Sequence, residues 1–404
     1  MSLTNSRLHE LPDYPFPRMR ALLEDITPAI GPAAQNLSIG EPQHPVPDFI
    51  GEILVRDMQQ YSDYPPINGT AEWQEAVLGW LGRRYSIPAD MMDEGHILPL
   101  CGSREGLFSL GLVVIEGAAS TRPLALLPNP LYQPYAGAAT MAGGQPVYVN
   151  SPKENNFQPD FQALPKEVLA AAAMAFICSP ANPQGTCADM AYLKQSILLA
   201  RQYDFVLVGD ECYSEIYDKH PPVGMLQACL ALVEEGAADS ADPFANVVVF
   251  NSLSKRSNLA GLRSGFVAGD PKLIAAFQRL RSYGGAPLPK PVYAASAAAW
   301  ADEGHVTASR ALYQQKFDLA EQYLGGRFGF YRPAGGFCLW LNVGDGEEAC
   351  RQLWHRAGIK VLPGAYLARP DAKGINPGDA YIRVALVHSA PVLAPALEKM
   401  ADIL

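Results

Sequence analysis

One loop of the chain brings an amine, a hydroxyl and a guanidinium close together in sequence. Lys255 follows Ser252 by three residues and precedes Arg263 by eight. A lysine amine can form a Schiff base with an aldehyde and exchange it for a substrate amine. Arginine and serine are donors suited to a phosphate. The segment therefore predicts a site for pyridoxal phosphate, a phosphorylated aldehyde, although a surface lysine in a polar loop is the alternative when the segment is taken alone.

A second phosphate-binding position is predicted where a helix begins behind an apolar strand. Ser103 and Arg104 open a helical segment directly after the apolar residues 97–100. Free backbone N–H groups and the helix dipole favour an anion at a helix start. Ser103 and Arg104 are therefore candidates for the phosphate, with an ordinary capped helix as the alternative.

Side chains suited to a flat pyridine ring follow three other apolar runs. Asp210 can pair with the pyridine nitrogen and keep it protonated, so that the ring accepts electrons. Tyr213 and Asn182 can hydrogen-bond the phenolic oxygen, and Tyr132 can stack on the ring face. Most of these have a plain alternative: a helix cap for Asp210, a turn for Asn182 and a half-buried aromatic for Tyr132.

These candidates need a sheet whose strand ends meet. Short apolar runs typical of buried parallel strands recur at residues 96–100, 124–127, 175–178, 205–208, 247–250 and 265–268. Helical segments lie between them, for example from Thr70, a candidate cap, to Tyr85, with Trp73 and Val77 on one apolar face. Strands and helices in alternation predict a doubly wound, mainly parallel α/β domain at residues 46–285 that binds its cofactor at the carboxyl ends of the strands.

The pattern changes after the glycine- and proline-rich residues 284–291. It then predicts a long helix from Val292 to about Leu324, a strand at 336–341, a helix at 347–357, short strands at 359–362 and 381–385, and a last helix from Val392. Residues 286–404 are therefore expected to form an interdomain helix and a smaller α+β domain. The proline-rich arm at residues 1–45 is expected to be part of that domain, packed on it or on a partner subunit.

Composition limits the class of protein. The 404 residues are 49% hydrophobic and 18% charged, as in a folded enzyme, and the net charge of −10 argues against a nucleic-acid surface. Seven scattered cysteines without a Cys-x-x-Cys pair suggest reduced thiols and no metal site. The N-terminus lacks the apolar run of a signal peptide, and no apolar stretch is long enough to span a membrane. We therefore expect a cytoplasmic protein without a membrane partner.

Together the motifs resemble those of the class I and II aminotransferases of fold type I, the family of aspartate aminotransferase. The likeness spans nearly the whole chain, and its motifs are Ser-Leu-Ser-Lys255 through Gly-Leu-Arg263, Asn182-Pro-Gln-Gly185 and Asp210-x-x-Tyr213. It implies pyridoxal 5'-phosphate as cofactor, with Lys255 as both the Schiff-base amine and the catalytic proton carrier. It also implies that the phosphate is held by Ser103, Arg104, Ser252 and Arg263.

The same resemblance implies a shared site and a substrate anchor. Tyr64 would reach the phosphate of the neighbouring subunit in a homodimer. Arg383 would grip the substrate carboxylate with two hydrogen bonds, with the backbone of Gly40 and the side chain of Asn182 close by. The alternative for Arg383 is an arginine on a strand surface.

A finer resemblance concerns the substrate. Residues 252–258, 261–270, 361–364 and 374–383 look like those of bacterial N-succinyl-diaminopimelate aminotransferases of lysine biosynthesis. The implied reaction moves an amino group from N-succinyl-L,L-diaminopimelate to 2-oxoglutarate by a ping-pong mechanism. Alternatives are an aminotransferase for another amino acid, of aspartate, alanine or aromatic type, a C–S lyase of the same fold, and a regulator without catalysis. Arg18 and Lys290 are candidates for a distal carboxylate, with solvated surface charge as the alternative.

Overall fold

The computed structural model describes residues 3–31, 34–116, 123–371 and 373–404. Its α-helices are α1 (Pro15–Leu23), α2 (Phe49–Arg56), α3 (Ala71–Tyr85), α4 (Ser103–Val114), α5 (Gln133–Met141), α6 (Lys166–Ala170), α7 (Met190–Tyr203), α8 (Met225–Glu234), α9 (Leu253–Arg256), α10 (Pro271–Arg281), α11 (Lys290–Ala301), α12 (Gly304–Leu324), α13 (Gly346–Ala357) and α14 (Ala390–Ile403). Its strands are β1 (Gln35–Asn36), β2 (Ile97–Leu100), β3 (Leu124–Asn129), β4 (Gln145–Asn150), β5 (Ala172–Cys178), β6 (Val206–Asp210), β7 (Val247–Ser252), β8 (Gly265–Gly269), β9 (Cys338–Asn342), β10 (Ile359–Lys360), β11 (Leu362–Pro363) and β12 (Tyr381–Ala385).

A seven-stranded sheet carries the predicted motifs in the order β2-β8-β7-β6-β5-β3-β4. The strands β4, β3, β5, β6 and β7 run parallel. Successive residues of a strand face opposite sides, so Val247 and Val249 belong to one apolar core and Val248 and Phe250 to another. Helices cover both faces, and the α/β fold class is confirmed.

The prediction that every apolar run forms a parallel strand was wrong for β8. This strand pairs antiparallel with both β7 and β2. A parallel return needs a crossover long enough to recross the sheet, usually a helix. Between the end of β7 at Ser252 and the start of β8 at Gly265 lie only α9, a helix of four residues, and a 3-10 turn at Ala260–Leu262. The chain therefore turns back at the end of β7, and this reversal places Lys255 just beyond the carboxyl end of that strand.

Helix α3 forms as its sequence predicts. The Thr70 hydroxyl accepts a hydrogen bond from the backbone N–H of Trp73 at 3.3 Å and caps the helix. The apolar face, with Trp73, Val77 and Trp80, is fully buried and packs mainly against α11. This pair of helices closes one face of the sheet.

A separate apolar core lies under a three-stranded antiparallel sheet with the order β11-β12-β9. The N-terminal arm joins this core through Met19, Leu23 and Leu37, and its strand β1 pairs with β10. The domain boundaries at residues 45 and 285 stay a prediction.

The single long helix expected between residues 292 and 324 is in fact two helices, α11 and α12. The carboxylate of Asp302 accepts a hydrogen bond from the backbone N–H of His305 at 3.0 Å. A short acidic side chain that bonds nearby backbone in this way competes with helix continuation. Helix α11 therefore ends at Ala301, and α12 begins at Gly304.

No helix in the described part of the chain is both long and apolar enough to cross a bilayer.

Candidate active site

A cavity of about 420 Å³ opens at the carboxyl ends of β5, β6 and β7. Its walls come from the seven-stranded sheet, the smaller sheet and the N-terminal arm. Eleven of the predicted site residues line this one cavity, namely Gly40, Ser103, Arg104, Tyr132, Asn182, Asp210, Tyr213, Ser252, Lys255, Arg263 and Arg383. Tyr64 alone of the predicted set lies elsewhere, with its side chain fully exposed.

The Lys255 amine stands at the centre of the cavity. Ser252 ends β7 and caps α9 by accepting a hydrogen bond from the backbone N–H of Ser254 at 3.1 Å. The Lys255 Nζ donates to the carbonyl oxygen of Gly40 at 2.6 Å and stands 5.3 Å from the ring centre of Phe337. Burial lowers the pKa of this amine to about 8. A substantial neutral fraction near physiological pH makes Lys255 suited to attack an aldehyde.

Asp210 offers a buried carboxylate at the end of β6. Its Oδ2 accepts from the Tyr135 hydroxyl at 2.6 Å and its Oδ1 from the backbone N–H of Cys212 at 3.3 Å. Burial raises the pKa of Asp210, because few groups replace the lost water. A cationic ring nitrogen beside this carboxylate would offset that cost. The neighbouring Glu211 points away from the cavity and bonds Tyr85 and Met225.

Tyr135 was missed by the sequence reasoning. It is fully buried in α5 and stacks on Phe176 with ring centres 4.4 Å apart. A buried aromatic in a helix looks like ordinary core, so the sequence held no signal for its hydroxyl. Ser254 was also left out of the predicted site, although it lines the cavity and lies in the same polar loop as Lys255.

The predicted phosphate cradle is a compact cluster at the start of α4. Arg263 donates to the carbonyl oxygens of Cys101 at 3.0 Å and Ala260 at 2.7 Å. Its guanidinium packs over Gly102, where an added Cβ would lie 2.1 Å from Nη2. Gly102 also has a φ of +79°, which favours glycine, and a larger residue there would displace the Arg263 guanidinium. Ser103 is the first residue of α4, and it lines the cavity, so the helix begins at the cavity wall. The free N–H groups of a helix start favour an anion.

Arg104 and Tyr132 contact each other across the cavity wall. The Arg104 Nε donates to the Tyr132 hydroxyl at 2.8 Å. The tyrosine hydroxyl is therefore already bonded, and its ring forms part of the wall. Contact of Arg104 with a phosphate and stacking of Tyr132 on a ring both stay predictions.

Arg383 is a buried guanidinium whose hydrogen-bond partners are uncharged. It lies in β12 with 6% of its surface exposed. Its Nη2 donates to the carbonyl oxygen of Ser38 at 2.6 Å and its Nη1 to Oδ1 of Asn182 at 3.2 Å, while Nε is buried without a partner. Among the described residues no carboxylate forms an ion pair with it. A buried charge in this condition favours an incoming carboxylate.

Tyr213 and Gly40 meet at Phe337. The rings of Tyr213 and Phe337 pack edge to face with centres 5.3 Å apart. A Cβ added to Gly40 would come within 3.2 Å of the same phenyl ring. Phe337 thus sets the position of the Gly40 backbone, whose carbonyl receives the Lys255 amine.

The arm that carries Gly40 is fixed by a second buried lysine. Lys316, on α12, is 2% exposed. Its Nζ donates to the His44 ring at 2.7 Å and to the carbonyl oxygen of Val387 at 3.0 Å. Burial lowers the pKa of Lys316 to about 7 and that of His44 to about 4. Both side chains are therefore largely neutral in the folded protein above pH 7.

The low pKa of Lys316 predicts a pH-dependent stability. The unfolded chain keeps this proton up to its ordinary pKa of 10.5, while the folded chain releases it at about 7. The wild type should therefore gain stability relative to Lys316→Met as pH rises through that window, by at most about 1.4 kcal/mol per pH unit. Melting temperatures of both proteins across this range measure the effect. The exposed-site variant Lys399→Met should show no such trend, and a constant gap between wild type and Lys316→Met would contradict the prediction.

The donor set of the cavity fits pyridoxal phosphate. An amine with a lowered pKa, a desolvated carboxylate, a helix start with serine and arginine, and a buried arginine without an ion pair in the described part of the chain are present. They correspond to the aldehyde, ring nitrogen, phosphate and substrate carboxylate that such an enzyme must bind. The sheet and the site together define a fold-type I enzyme that uses this cofactor.

Comparison with known proteins gives the family. The model of class I and II aminotransferases matches residues 34–400, and the chain belongs to this family. Pyridoxal phosphate is the cofactor of that family, and the predicted aminotransferase class is confirmed.

The chain is similar to known aminotransferases along nearly their whole length. A solved aminotransferase from Neisseria meningitidis is 40% identical with a TM-score of 0.91, and the match covers 99% of each chain. Aminotransferase AspB from Helicobacter pylori is 35% identical with a TM-score of 0.87, over 97% of this chain and 98% of the other. An LL-diaminopimelate aminotransferase from Syntrophobacter fumaroxidans is 30% identical over 98% of this chain and 97% of its own. That relative is named for the free amino acid, without the N-succinyl group of the sequence prediction.

Proposed function

We infer that this aminotransferase moves an amino group from N-succinyl-L,L-diaminopimelate to 2-oxoglutarate in lysine biosynthesis, by a ping-pong mechanism. One observation carries the aminotransfer chemistry: the Lys255 amine, the Asp210 carboxylate and the Arg383 guanidinium line the same cavity. The donor is supported by the sequence runs at residues 252–258, 261–270, 361–364, 374–378 and 381–383, and by the likeness to an enzyme of diaminopimelate.

Each cavity residue has a definite task in this reaction. Bound pyridoxal phosphate supplies the electron sink that makes the substrate α-proton acidic. Asp210 would hold the ring nitrogen in its protonated form. Lys255 would hold the cofactor aldehyde through its amine and would move the proton at the substrate α-carbon, for which its lowered pKa is suited.

The remaining residues bind and orient. Ser103, Arg104, Ser252 and Arg263 would hold the phosphate, with Ser254 as an added hydroxyl. Asn182 and Tyr213 would hydrogen-bond the phenolic oxygen, and Tyr132 would cover the ring face. Arg383 binds the substrate carboxylate, with Asn182 and the Gly40 backbone beside it. Holding the substrate carboxylate on one side and the cofactor on the other would align the bond to be broken.

A homodimer would complete the site. Tyr64 is fully exposed, and the segment before it also exposes Val55, Met58 and Tyr61. An exposed apolar strip of this kind favours contact with a second copy, which would bring Tyr64 to the partner's phosphate. The cytoplasmic location expected from the sequence stays a prediction.

A donor screen tests the proposed reaction. Holoenzyme is incubated with 2-oxoglutarate and N-succinyl-L,L-diaminopimelate, free L,L-diaminopimelate, aspartate, alanine or phenylalanine, and glutamate formation is measured. The N-succinyl donor should give the highest kcat/KM. A higher value for free L,L-diaminopimelate would favour the second candidate, which the Syntrophobacter relative supports. No glutamate from either diaminopimelate donor would exclude both.

Replacing Arg383 by lysine should weaken binding of the substrate carboxylate. Lysine keeps the charge but loses the planar fork, so that one charged hydrogen bond is lost. Such a bond contributes about 1.5–3 kcal/mol, which predicts a fall in kcat/KM of about 10–100-fold for every donor. Steady-state kinetics measure it. Arg201→Lys removes a comparable arginine that bonds only backbone carbonyls far from the cavity, and equal losses in both variants would contradict the role.

A further inference from the structure

Two arginines lie just beyond the outer wall of the cavity. Tyr14 and Pro15 line that wall at the start of α1, and Arg18 follows Tyr14 by four residues on the same helix face. Its guanidinium carbon lies 3.9 Å from the ring centre of Tyr366. Lys290, the other cation considered for a distal group, instead pairs with Asp63 at 3.0 Å.

Arg369 is the second arginine, and its backbone is held by two hydrogen bonds. It follows the cavity residue Leu367 by two positions. The buried Asn129 side chain accepts from the Arg369 backbone N–H at 2.9 Å and donates to its carbonyl oxygen at 2.8 Å. One guanidinium nitrogen, Nη1, donates to the Ala368 carbonyl oxygen at 2.7 Å. The other two, Nε and Nη2, are buried without a hydrogen bond of good geometry, and the Tyr148 side chain lies close to the guanidinium.

The positive charges of Arg18 and Arg369 are not balanced by a carboxylate in the described part of the chain. Burial, together with the positive charge of Arg18, lowers the pKa of Arg369, while Tyr148 opposes that shift. Glu347 is the acid that interacts with the nearby Tyr366. It forms no ion pair with Arg18 or Arg369, and neither does any other carboxylate in the described ranges. Two neighbouring guanidinium groups, of which Arg369 has two buried nitrogens without a hydrogen bond of good geometry, constitute a site that an anion would stabilise.

We propose that Arg18 and Arg369 form a subsite for the carboxylates at the far end of the amino donor. This proposal rests on the proposed function, because that donor carries such groups. Beyond its reacting carbon, N-succinyl-L,L-diaminopimelate has two carboxylates and no second ammonium. Free L,L-diaminopimelate has one carboxylate and one ammonium there, and both arginines repel the ammonium. The subsite therefore selects a doubly acidic tail and rejects the unmodified amino acid.

The test compares two ligands that differ only in the distal charge. Heptanedioate has the carbon skeleton of diaminopimelate, and heptanoate lacks its second carboxylate. Calorimetry on the holoenzyme gives the dissociation constant of each for wild type, Arg369→Gln and Arg18→Gln. Each substitution should raise the dissociation constant of heptanedioate about 10-fold or more, as expected for a lost charged hydrogen bond. The dissociation constant of heptanoate should not change. Arg20→Gln, at an exposed position of the same helix, is the matched control and should change neither.

The outcomes separate this proposal from the choice of donor. Unchanged heptanedioate binding in both variants, or equal weakening of both ligands, overturns the subsite even when N-succinyl-L,L-diaminopimelate is the best donor. Selective weakening of heptanedioate supports the subsite even when another acidic donor is preferred. Inorganic phosphate serves as a third ligand, because loss of its binding in Arg369→Gln with heptanedioate unaffected would assign the arginines to a free anion and overturn the proposal.

Discussion

Replacing Lys255 by arginine is expected to lower kcat more than about 1,000-fold, because proton transfer by a positioned group alone contributes about 10²–10⁴. Arginine keeps a positive charge beside the Gly40 carbonyl, which receives the Lys255 amine at 2.6 Å. It supplies neither a nucleophilic amine nor a base near neutral pH. Steady-state glutamate formation measures the loss, and the visible absorbance of the purified protein reports the missing covalent link.

A surface lysine provides the comparison for this variant. Lys272 is exposed and pairs only with Asp242, so that Lys272→Arg should keep full activity and the absorbance of the wild type. Borohydride reduction of wild-type holoenzyme followed by peptide mapping should label residue 255. Activity of Lys255→Arg close to wild type, or a label on another lysine, would refute the assignment.

Replacing Asp210 by asparagine should lower kcat by about 10²–10³-fold, the range found when one preorganised electrostatic partner of a reacting group is removed. The side chain keeps its shape and can still bond Tyr135, whose hydroxyl is 2.6 Å from Oδ2. Only the negative charge is lost, so the ring nitrogen is no longer held in its protonated form. Single-turnover measurements of α-proton removal give the size of the effect.

The adjacent carboxylate tests whether the charge or the burial matters. Glu211 is as buried as Asp210, each with 4% of its surface exposed, but it bonds Tyr85 and Met225 away from the cavity. Glu211→Gln should therefore change the melting temperature more than kcat. If both variants lose kcat equally, the electron-sink role of Asp210 is wrong.

Local sequence patterns predicted those elements whose structure depends on near neighbours. The cap at Thr70, the apolar face of α3 and the strand at residues 381–385 follow from spacing alone, and each has its expected form. The reversed direction of β8 and the break between α11 and α12 were not predicted. Strand direction depends on where the chain returns in space, and the helix break depends on one side-chain bond from Asp302.

For the active site, the sequence by itself determined the chemical groups and their order: the amine, the carboxylate, the hydroxyls and the arginines stand in short motifs behind apolar runs. Only the tertiary structure decided how these groups behave. Burial sets the pKa of Lys255, Tyr135 reaches Asp210 from another helix, and Arg369 forms no ion pair with any described carboxylate. Desolvation and hydrogen bonding depend on residues distant in the chain, and no local pattern specifies which of them will meet.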